Sequence, residues 1–396
     1  MYWFLGEYDA LSGLSQEWGR SEHIPVVGQE YAHGYGHSAL GVASLAAALI
    51  VKEYLDKYSK AGKIIFYGCC AEEDTGVKPL MAMNGEFQDT DCVFAWHPSY
   101  FNGVTNFENI ADKGFTVEFK GTTAHAGMAP HLGRSALDAC ELMNVGVNYL
   151  REHVIQEARI HYAYLDVGGS APNVVQDHTK MYYLVRAPRI TQVDEILERV
   201  ITCAKGAAMM TGTTVETEHK MGYSDVFQNT VIARILSKAA EEIGPPEWDE
   251  EDIKLAAEFV AHYDRTQEEN RKKQTKVLYA SEKMEESFEK VLHDKIVSFD
   301  EKTFERRYGC SDVGDVCYVT PTAILNVATM AIGAPAHSWF MTGMTGSSIG
   351  EKGILCAAEI LSLAALKVYE APNILKGAQE ERIKRVGNVY KCPMVE

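Results

Sequence analysis

The sequence lacks the paired cysteines of a disulfide-rich secreted domain or a zinc ribbon. Its nine cysteines are odd in number, none belongs to a CxxC pair, and several lie within apolar runs. No Asn-x-Ser/Thr glycosylation site occurs. Cysteines used in this way are typical of a reducing compartment, so we expect a cytoplasmic protein.

The sequence also has little positive charge and no very long apolar run. It contains 38 basic and 55 acidic residues, which gives a formal net charge of −17. A nucleic-acid-binding protein should carry a basic face, and a membrane span needs about 18 consecutive apolar residues. We therefore expect neither nucleic acid nor a membrane among the partners.

Motifs of two other enzyme classes are absent or misplaced. Neither GxxxxGK[ST] nor a strand-linked GxGxxG is present, which argues against a phosphate-binding loop. The stretch 346–350 matches the GxSxG elbow of serine hydrolases, but no histidine follows Ser348 to complete the triad in the order that this fold requires. We interpret the stretch as the turn into the last helix, with Gly350 permitting a close approach.

The chain is long enough for two domains, and its first third alternates strands and a helix. Apolar strands are predicted at 1–5, 63–70 and 91–96, with a helix over 39–58 that Ser38 could cap. Continuously apolar strands separated by helices indicate a parallel sheet covered on both faces. The predicted fold class is therefore α/β.

The pattern changes near residue 111 and returns near residue 222. Between these points the predicted order is β-α-β-β-α-β, the split βαβ pattern of a small ferredoxin-like α+β domain. Beyond it, a segment dense in charge spans about 247–307 and is interpreted as exposed helices on a domain surface. A strand at 323–330 and a long final helix at 350–369 complete the prediction.

Histidines and carboxylates follow several of the predicted strands. Because ligands gather beyond the carboxyl ends of parallel strands, these side chains should converge on one edge of the sheet. Imidazole and carboxylate groups are ligands that zinc and similar divalent metals accept. The residues concerned are Asp9, Glu72, Glu73, His97 and His337, together with His33 and His37 in a glycine-rich loop.

The adjacent pair Glu72 and Glu73 suggests how such a centre could act. Neighbouring side chains diverge, so one carboxylate could bind the metal while the other accepts a proton from water. Each residue taken alone has an ordinary structural explanation, such as acidic residues at a helix start. Only their joint placement predicts a metal centre.

Taken together, the motifs resemble one family. In chain order they read GEYDAL, AHGYGHSALG, AEED, WHPS, GTTAHAGMAPHLGRSALDA, GGSAPNVVQD, SDVGDV and GAPAHSW. The chain resembles the metallopeptidase and amidohydrolase family of aminoacylases and glutamate carboxypeptidases, in particular its aminobenzoyl-glutamate hydrolase branch. The likeness spans nearly the whole chain, and the combination of motifs is specific although no single motif is.

The resemblance implies a role for each matching residue. Glu72 matches the general base, and Asp9 matches the acid that supports a ligand from behind. His125 matches a histidine that reaches across a dimer to stabilise the oxyanion. Asn173 matches a residue near the substrate, and Arg186 is a weaker candidate for contacting a substrate carboxylate. The metal ligands implied are His37, Glu73, His97 and His337.

The resemblance also implies the organisation and the reaction. A catalytic domain formed by 1–111 and 222–396 should carry an inserted lid or dimerisation domain at 112–221. The expected reaction is hydrolysis of the amide bond of N-acyl or N-aroyl amino acids resembling p-aminobenzoyl-glutamate. It would use one or two divalent ions per chain, zinc or manganese, in a homodimer or in a hetero-oligomer with a related subunit.

Two departures from the family pattern keep an alternative open. Tyr35 stands where the branch usually has a cysteine that bridges two metals, and a phenol with a pKa of ~10 is a poor ligand at neutral pH. The chain also begins directly on the GEYDAL strand, which suggests a shortened start. The alternative is a catalytically impaired homologue that acts as a binding or assembly subunit.

Overall fold

The computed structural model describes residues 2–264, 266, 269 and 282–395. The chain divides into two compact units. The first comprises Met1–Phe107, Phe227–Arg306 and Val316–Tyr390, and the second Glu108–Val226, Arg307–Asp315 and Lys391–Glu396. The domain boundaries expected from the sequence stay predictions.

The first unit contains a six-stranded, mostly parallel sheet. Its strands, in spatial order, are β13 (Ile296–Val297), β6 (Asn102–Gly103), β15 (Thr322–Ala328), β5 (Cys92–Ser99), β1 (Tyr2–Glu7) and β4 (Ile64–Cys69). β15, β5, β1 and β4 run parallel to one another, whereas β6 pairs with β15 in the antiparallel direction. The predicted α/β class is confirmed.

Helices cover this sheet. Those described are α1 (His37–Lys57), α2 (Lys78–Met83), α5 (Thr230–Ile243), α6 (Glu250–Val260), α7 (Glu282–Phe288), α8 (Val313–Val319), α9 (Trp339–Thr345), α10 (Ser348–Glu370) and α11 (Ile374–Val386). Short strands also occur, namely β2 (Leu11–Ser12), β3 (Tyr31–Ala32), β7 (Phe107–Asn109), β12 (Val226–Phe227) and β14 (Glu305–Arg307).

Two helix predictions were wrong. Helix α1 begins at His37 rather than at Ala39, and the preceding Gly36 takes the capping position in a left-handed conformation without any side-chain cap. Ser38 therefore lies inside the first turn. The helix predicted at 350–369 is not the last one, because α11 follows it after a three-residue break.

The main core of the first unit lies where α1, α5 and α10 pack on the sheet. Apolar residues of α1, including Leu40, Val51 and Leu55, belong to one buried cluster with Phe94 and Leu361. Among the described residues, α1 is the one helix long and apolar enough to cross a membrane by length and composition. Core helices of globular proteins share those properties, so this finding is weak support for a membrane span.

The second unit is built on a four-stranded antiparallel sheet. Its strands, in spatial order, are β11 (Thr214–Tyr223), β8 (Ala111–Lys120), β10 (His178–Ala187) and β9 (Arg159–Asp166), and its helices are α3 (Ala136–Leu150) and α4 (Ile190–Thr211). The chain order β8-α3-β9-β10-α4-β11 is the predicted β-α-β-β-α-β order. The split βαβ prediction is confirmed.

The charged segment is less exposed than predicted. In α6, Ala256 and Phe259 are fully buried and belong to a core cluster with Met341 and Met344. Asp252 is also buried, and it pairs with Lys352 at the start of α10. Part of the segment, namely 265, 267–268 and 270–281, lies outside the described residues. The described part forms core as well as surface.

The GxSxG stretch forms the turn into α10, as predicted. Ser347 precedes the helix, and the Ser348 hydroxyl donates a hydrogen bond to Asp252 at 2.5 Å. A Cβ atom on Gly350 would lie 1.9 Å from the Thr345 carbonyl oxygen, so only glycine fits there.

His293 introduces a buried titratable group into the first unit. Its Nδ1 accepts a hydrogen bond from the Asn102 backbone N–H at 3.3 Å, and its ring lies 4.4 Å from that of Phe288. Burial lowers the pKa of His293 to about 4. Because the unfolded chain then binds a proton more readily than the folded one, stability should be complete above pH ~6.5 and lost between ~6.5 and 4.

We predict that the free energy of unfolding falls by about 2 kcal/mol from this group alone between pH 7 and pH 5. Urea unfolding at both pH values measures it. The His293→Asn variant keeps a hydrogen-bond acceptor but cannot titrate, so its stability should fall less over this range. His131→Asn, at an exposed position, serves as the control. Equal pH dependence in wild type and His293→Asn would contradict the prediction.

Candidate metal centre

The predicted ligands converge where three parallel strands of the first unit end. Glu7 is the last residue of β1, Glu72 and Glu73 follow β4, and His37 is the first residue of α1. His97 lies within β5, which continues to Ser99 rather than ending before the histidine. The metal centre therefore lies at the edge of the sheet where parallel strands bring distant residues together.

Gly36 sets the position of His37 against β5. Its φ is +82°, in the left-handed region that glycine adopts without strain. A Cβ atom there would lie 2.7 Å from Pro98 Cβ. The glycine thus lets the start of α1 approach β5 closely enough for His37 and His97 to meet.

Asp9 connects three segments of the centre. Its Oδ1 accepts a hydrogen bond from His37 Nδ1 at 3.0 Å, and its Oδ2 accepts one from the Glu73 backbone N–H at 2.9 Å. Its backbone carbonyl accepts a third from His33 Nδ1 at 2.8 Å. Burial alone would raise the pKa of Asp9, but the bonds from His37 and Glu73 lower it to about 2. Asp9 therefore remains a carboxylate and fixes the orientation of His37.

His37 is buried and directs one nitrogen into the centre. With Nδ1 bound to Asp9, its Nε2 makes no hydrogen bond among the described residues and lies 3.4 Å from Glu7 Oε2. Burial opposes a charge on this ring, yet Asp9, Glu7 and Glu72 together raise its pKa to about 9. A buried nitrogen surrounded by carboxylates is a position that a cation suits, because a bound metal replaces the proton there.

The ligand atoms form two groups of three. The atoms of Glu7, His37 and His97 all lie within 4.8 Å of one another, and so do those of His37, Glu72 and Glu73. Two imidazoles and several carboxylates match the preference of zinc-like divalent ions. These residues therefore fit a divalent metal.

His97 has the tautomer that a metal ligand needs. Its Nδ1 lies 2.7 Å from the Pro98 carbonyl, to which only an N–H can donate, so a lone pair remains on Nε2. Burial and the nearby positive charge of His37 lower the pKa of His97 to about 4. The neutral ring is thus favoured, as metal ligation requires.

Glu73 and His337 form a separate pair at the exposed side. His337 Nε2 lies 3.2 Å from Glu73 Oε2, and the hydrogen bond to Glu73 raises the pKa of His337. His337 has a φ of +50°, and Ala71, directly before Glu72, has a φ of +60°. Left-handed backbone costs on the order of 1 kcal/mol at non-glycine residues. Such strain at two positions of one site is typical of functional geometry.

A buried ion pair that the sequence did not predict lies beside the ligands. Lys78 is fully buried, and its Nζ lies 2.7 Å from Glu7 Oε1. Burial would raise the pKa of Glu7, but the charges of Lys78, His37 and His97 lower it. A lysine six residues after Glu72 gave no signal, since lysines are rarely buried. The position of Glu7 at the end of an apolar strand was the available clue.

Tyr35 lies among the three histidines. Its ring centroid is 4.6 Å from that of His97, 4.6 Å from that of His337 and 6.3 Å from that of His37. The residue that departs from the family pattern is therefore part of the centre.

In the second unit, His125 and Asn173 lie next to each other. A β-bridge joins His125 to Val174, and the Ala126 N–H donates to the Asn173 carbonyl at 2.9 Å. His125 Nδ1 accepts hydrogen bonds from the backbone N–H groups of Gly127 and Met128, both at 3.2 Å. The proton of the neutral ring must then sit on Nε2, which leaves this exposed histidine able to donate a hydrogen bond.

Arg186 makes contacts that explain it structurally. It lies opposite Asp112 in the β8–β10 register, with Nε 3.7 Å from Asp112 Oδ2. Its Nη1 donates to the Tyr308 carbonyl at 3.4 Å. Burial raises the pKa of Asp112 to about 6 even with Arg186 nearby. Substrate binding by Arg186 and Asn173 stays a prediction.

We predict that Lys78→Met lowers the free energy of unfolding by about 3 kcal/mol, because it leaves the buried Glu7 carboxylate without its cation. The double variant Glu7→Gln, Lys78→Met should recover most of this loss, since it buries no uncompensated charge. Urea unfolding measures both. Lys52→Met, in an exposed pair with Asp56, is the control and should leave the midpoint unchanged. A double variant less stable than Lys78→Met would contradict the prediction.

Comparisons with known proteins agree with this architecture. Residues 112–209 match the peptidase dimerisation domain of the M20 family. One of the subunits of the p-aminobenzoyl-glutamate hydrolase from Escherichia coli (strain K12) is 37% identical, with 98% of this chain and 82% of the relative covered.

Two solved structures share the fold. One is an aminobenzoyl-glutamate utilization protein from Klebsiella pneumoniae, with a TM-score of 0.55 and 17% identity over 92% of this chain and 70% of that one. The other is a dinuclear metal-binding M20 peptidase from Bacillus subtilis, with a TM-score of 0.57 and 14% identity over 93% and 81%. Together with the 37% identity to the hydrolase and the match to the dimerisation domain, they show that the chain belongs to the M20 family and is a metal-dependent amidohydrolase.

Proposed function

We propose that the protein hydrolyses the amide bond of N-acyl or N-aroyl amino acids, with p-aminobenzoyl-glutamate as the first substrate to test. The names of the E. coli and K. pneumoniae relatives support this substrate class. The observation that carries the proposal is the buried His37 Nε2, which lies within 4.8 Å of carboxylate oxygens of Glu72 and Glu73. A metal ligand and a pair of carboxylates are thereby placed side by side.

A divalent ion, zinc or manganese, would be held by residues among Glu7, His37, Glu73, His97 and His337. When bound, such an ion supplies a Lewis acid that polarises an amide carbonyl and makes water more acidic. Asp9 holds His37 in the tautomer and orientation that ligation needs, through the 3.0 Å hydrogen bond to Nδ1.

Glu72 is the residue that we assign to proton transfer. It accepts a proton from the attacking water and returns it to the nitrogen of the departing amine. His125 of a second subunit donates a hydrogen bond from Nε2 to the oxyanion of the tetrahedral intermediate. The two backbone N–H groups on its Nδ1 support this role because they keep the donor proton on Nε2.

A homodimer formed through the second unit is part of the proposal, although a hetero-oligomer with a related subunit would use the same surface. Strand β9 is an edge of the four-stranded sheet, and edge strands are ready to pair with another chain. On α3, Leu142, Val145 and Tyr149 share one face and are 38%, 50% and 77% exposed. An exposed apolar helix face beside an edge strand is typical of a protein interface.

A cytoplasmic location is also proposed, and it is supported by nine cysteines that are all free. The alternative of a catalytically impaired assembly subunit gains no support from the comparisons, because the relatives described above are a hydrolase, a peptidase and a utilization protein.

We predict that Glu72→Gln lowers kcat by about 10²- to 10⁴-fold, because the water loses its proton acceptor, while the metal content stays that of wild type. Steady-state hydrolysis of p-aminobenzoyl-glutamate and elemental analysis measure the two quantities. Asp74→Asn, an exposed neighbouring carboxylate, is the matched control and should keep its activity. Wild-type turnover in Glu72→Gln would exclude the assigned role.

We predict that Val145→Glu converts the dimer to monomers, because a carboxylate would have to be buried in the apolar interface. Light scattering after size exclusion should show the mass falling by half, and kcat should fall with it because His125 no longer reaches a partner. Val42→Glu places the same charge on an exposed apolar position of α1 and should change neither. A monomeric variant with full activity would contradict the role of His125.

A further inference from the structure

We propose that the metal centre holds a single divalent ion, bound by Glu7, His37 and His97, and that Tyr35 and Lys78 occupy the space and the charge that a second ion would need. This inference rests on the proposed function, because it specifies the metal content of the same site. It assigns Tyr35 and Lys78 roles that neither the motifs nor the relatives provide.

Both three-donor groups within the first unit depend on one atom. His37 Nδ1 is bound to Asp9 Oδ1, so only Nε2 can ligate a metal. Both the group with Glu7 and His97 and the group with Glu72 and Glu73 include His37, and therefore that nitrogen. An imidazole nitrogen has one lone pair, so the two groups cannot be complete at the same time.

The tautomers of the two histidines identify which group is complete. His37 and His97 both donate through Nδ1, to Asp9 and to the Pro98 carbonyl, which leaves both Nε2 atoms able to bind a metal. Glu7 Oε2 lies 3.4 Å from His37 Nε2 in the same buried region. Three protein ligands with one open position are sufficient for a catalytic zinc-type centre.

The ring of Tyr35 occupies space that a second ion would need. Ions of a two-metal site lie ~3.5–4 Å apart and share ligands between them. The Tyr35 ring stands 4.6 Å from the rings of both His97 and His337. Those distances are ring contacts, so an aromatic side chain already fills the region between the two histidines.

The charges of the centre also favour one ion over two. The buried Lys78 ammonium lies 2.7 Å from Glu7 Oε1, so this carboxylate already has one cation and offers a metal only its other oxygen. On the exposed side, Glu73 and His337 bind each other. With Glu72 assigned to proton transfer, these two are the remaining motif ligands, and two protein ligands hold a metal ion less well than three.

The test is the number of Mn²⁺ ions bound per chain by the full-length protein, after removal of metal and reconstitution. Elemental analysis should give one ion, and the electron paramagnetic resonance spectrum should be that of an isolated Mn²⁺. Tyr35→Cys removes the ring and adds a thiolate, so we expect a second ion and a spin-coupled spectrum. Tyr35→Phe keeps the ring and should still bind one. Thermal unfolding verifies that each variant is folded.

Ligand identity is tested by two further variants. His97→Ala should weaken Mn²⁺ binding by more than about 100-fold, whereas His337→Ala should keep one ion with little change in Kd. Loss of the ion in His337→Ala but not in His97→Ala would overturn the assignment of ligands.

The possible results separate this inference from the proposed function. Two ions or a coupled spectrum in an active wild type would overturn the single-ion inference and leave the proposed function intact. A wild type that binds no Mn²⁺ and hydrolyses no N-acyl amino acid would overturn both. One ion with full activity supports both.

Discussion

The metal centre depends on the carboxylate of Asp9, which holds three segments that are distant in sequence. One oxygen binds the start of α1 through His37, the other binds the backbone of Glu73 after β4, and the main-chain carbonyl binds His33. Because the carboxylate only accepts hydrogen bonds, it fixes which nitrogen of His37 carries the proton. The direction of the ligand nitrogen, the position of the acidic pair and the choice of tautomer all follow from one side chain.

The charges around Asp9 are compensated one by one. Glu7 has Lys78, Asp9 has His37, and Glu73 has His337. A buried charge without a partner costs several kcal/mol, so this pairing explains how so many carboxylates fit into one half-buried region. The same pairing means that a change to one member of the centre leaves a charge on its neighbour without compensation.

The sequence predicted the parts of the molecule that follow from local patterns. Period-two alternation indicated strands such as β8, and the order of elements indicated the split βαβ unit. The strand-end rule brought His37, Glu73 and His97 to one edge. The rule failed for Lys78 because its burial depends on a carboxylate 71 residues earlier in the chain. It also failed at Ser38, since the close approach of Gly36 to Pro98 moves the start of α1.

Fine geometry was beyond the sequence for the same reason. The tautomers of His97 and His125 are set by backbone groups, namely the Pro98 carbonyl and two N–H groups of the His125 turn. Backbone groups carry no sequence signature, because nearly every residue has them. The motif positions showed which side chains are present, and only their surroundings show which atom of each side chain is available.

The buried part of the charged segment changes how modular this enzyme is. Ala256 and Phe259 of α6 pack against Met341 and Met344 of α9, the helix that begins two residues after His337, and Tyr35 packs on the same cluster. A segment with the composition of a dispensable surface insertion is therefore the floor beneath part of the active site. A shorter relative that lost it could not simply close the gap, and would need other side chains to hold this histidine loop in place.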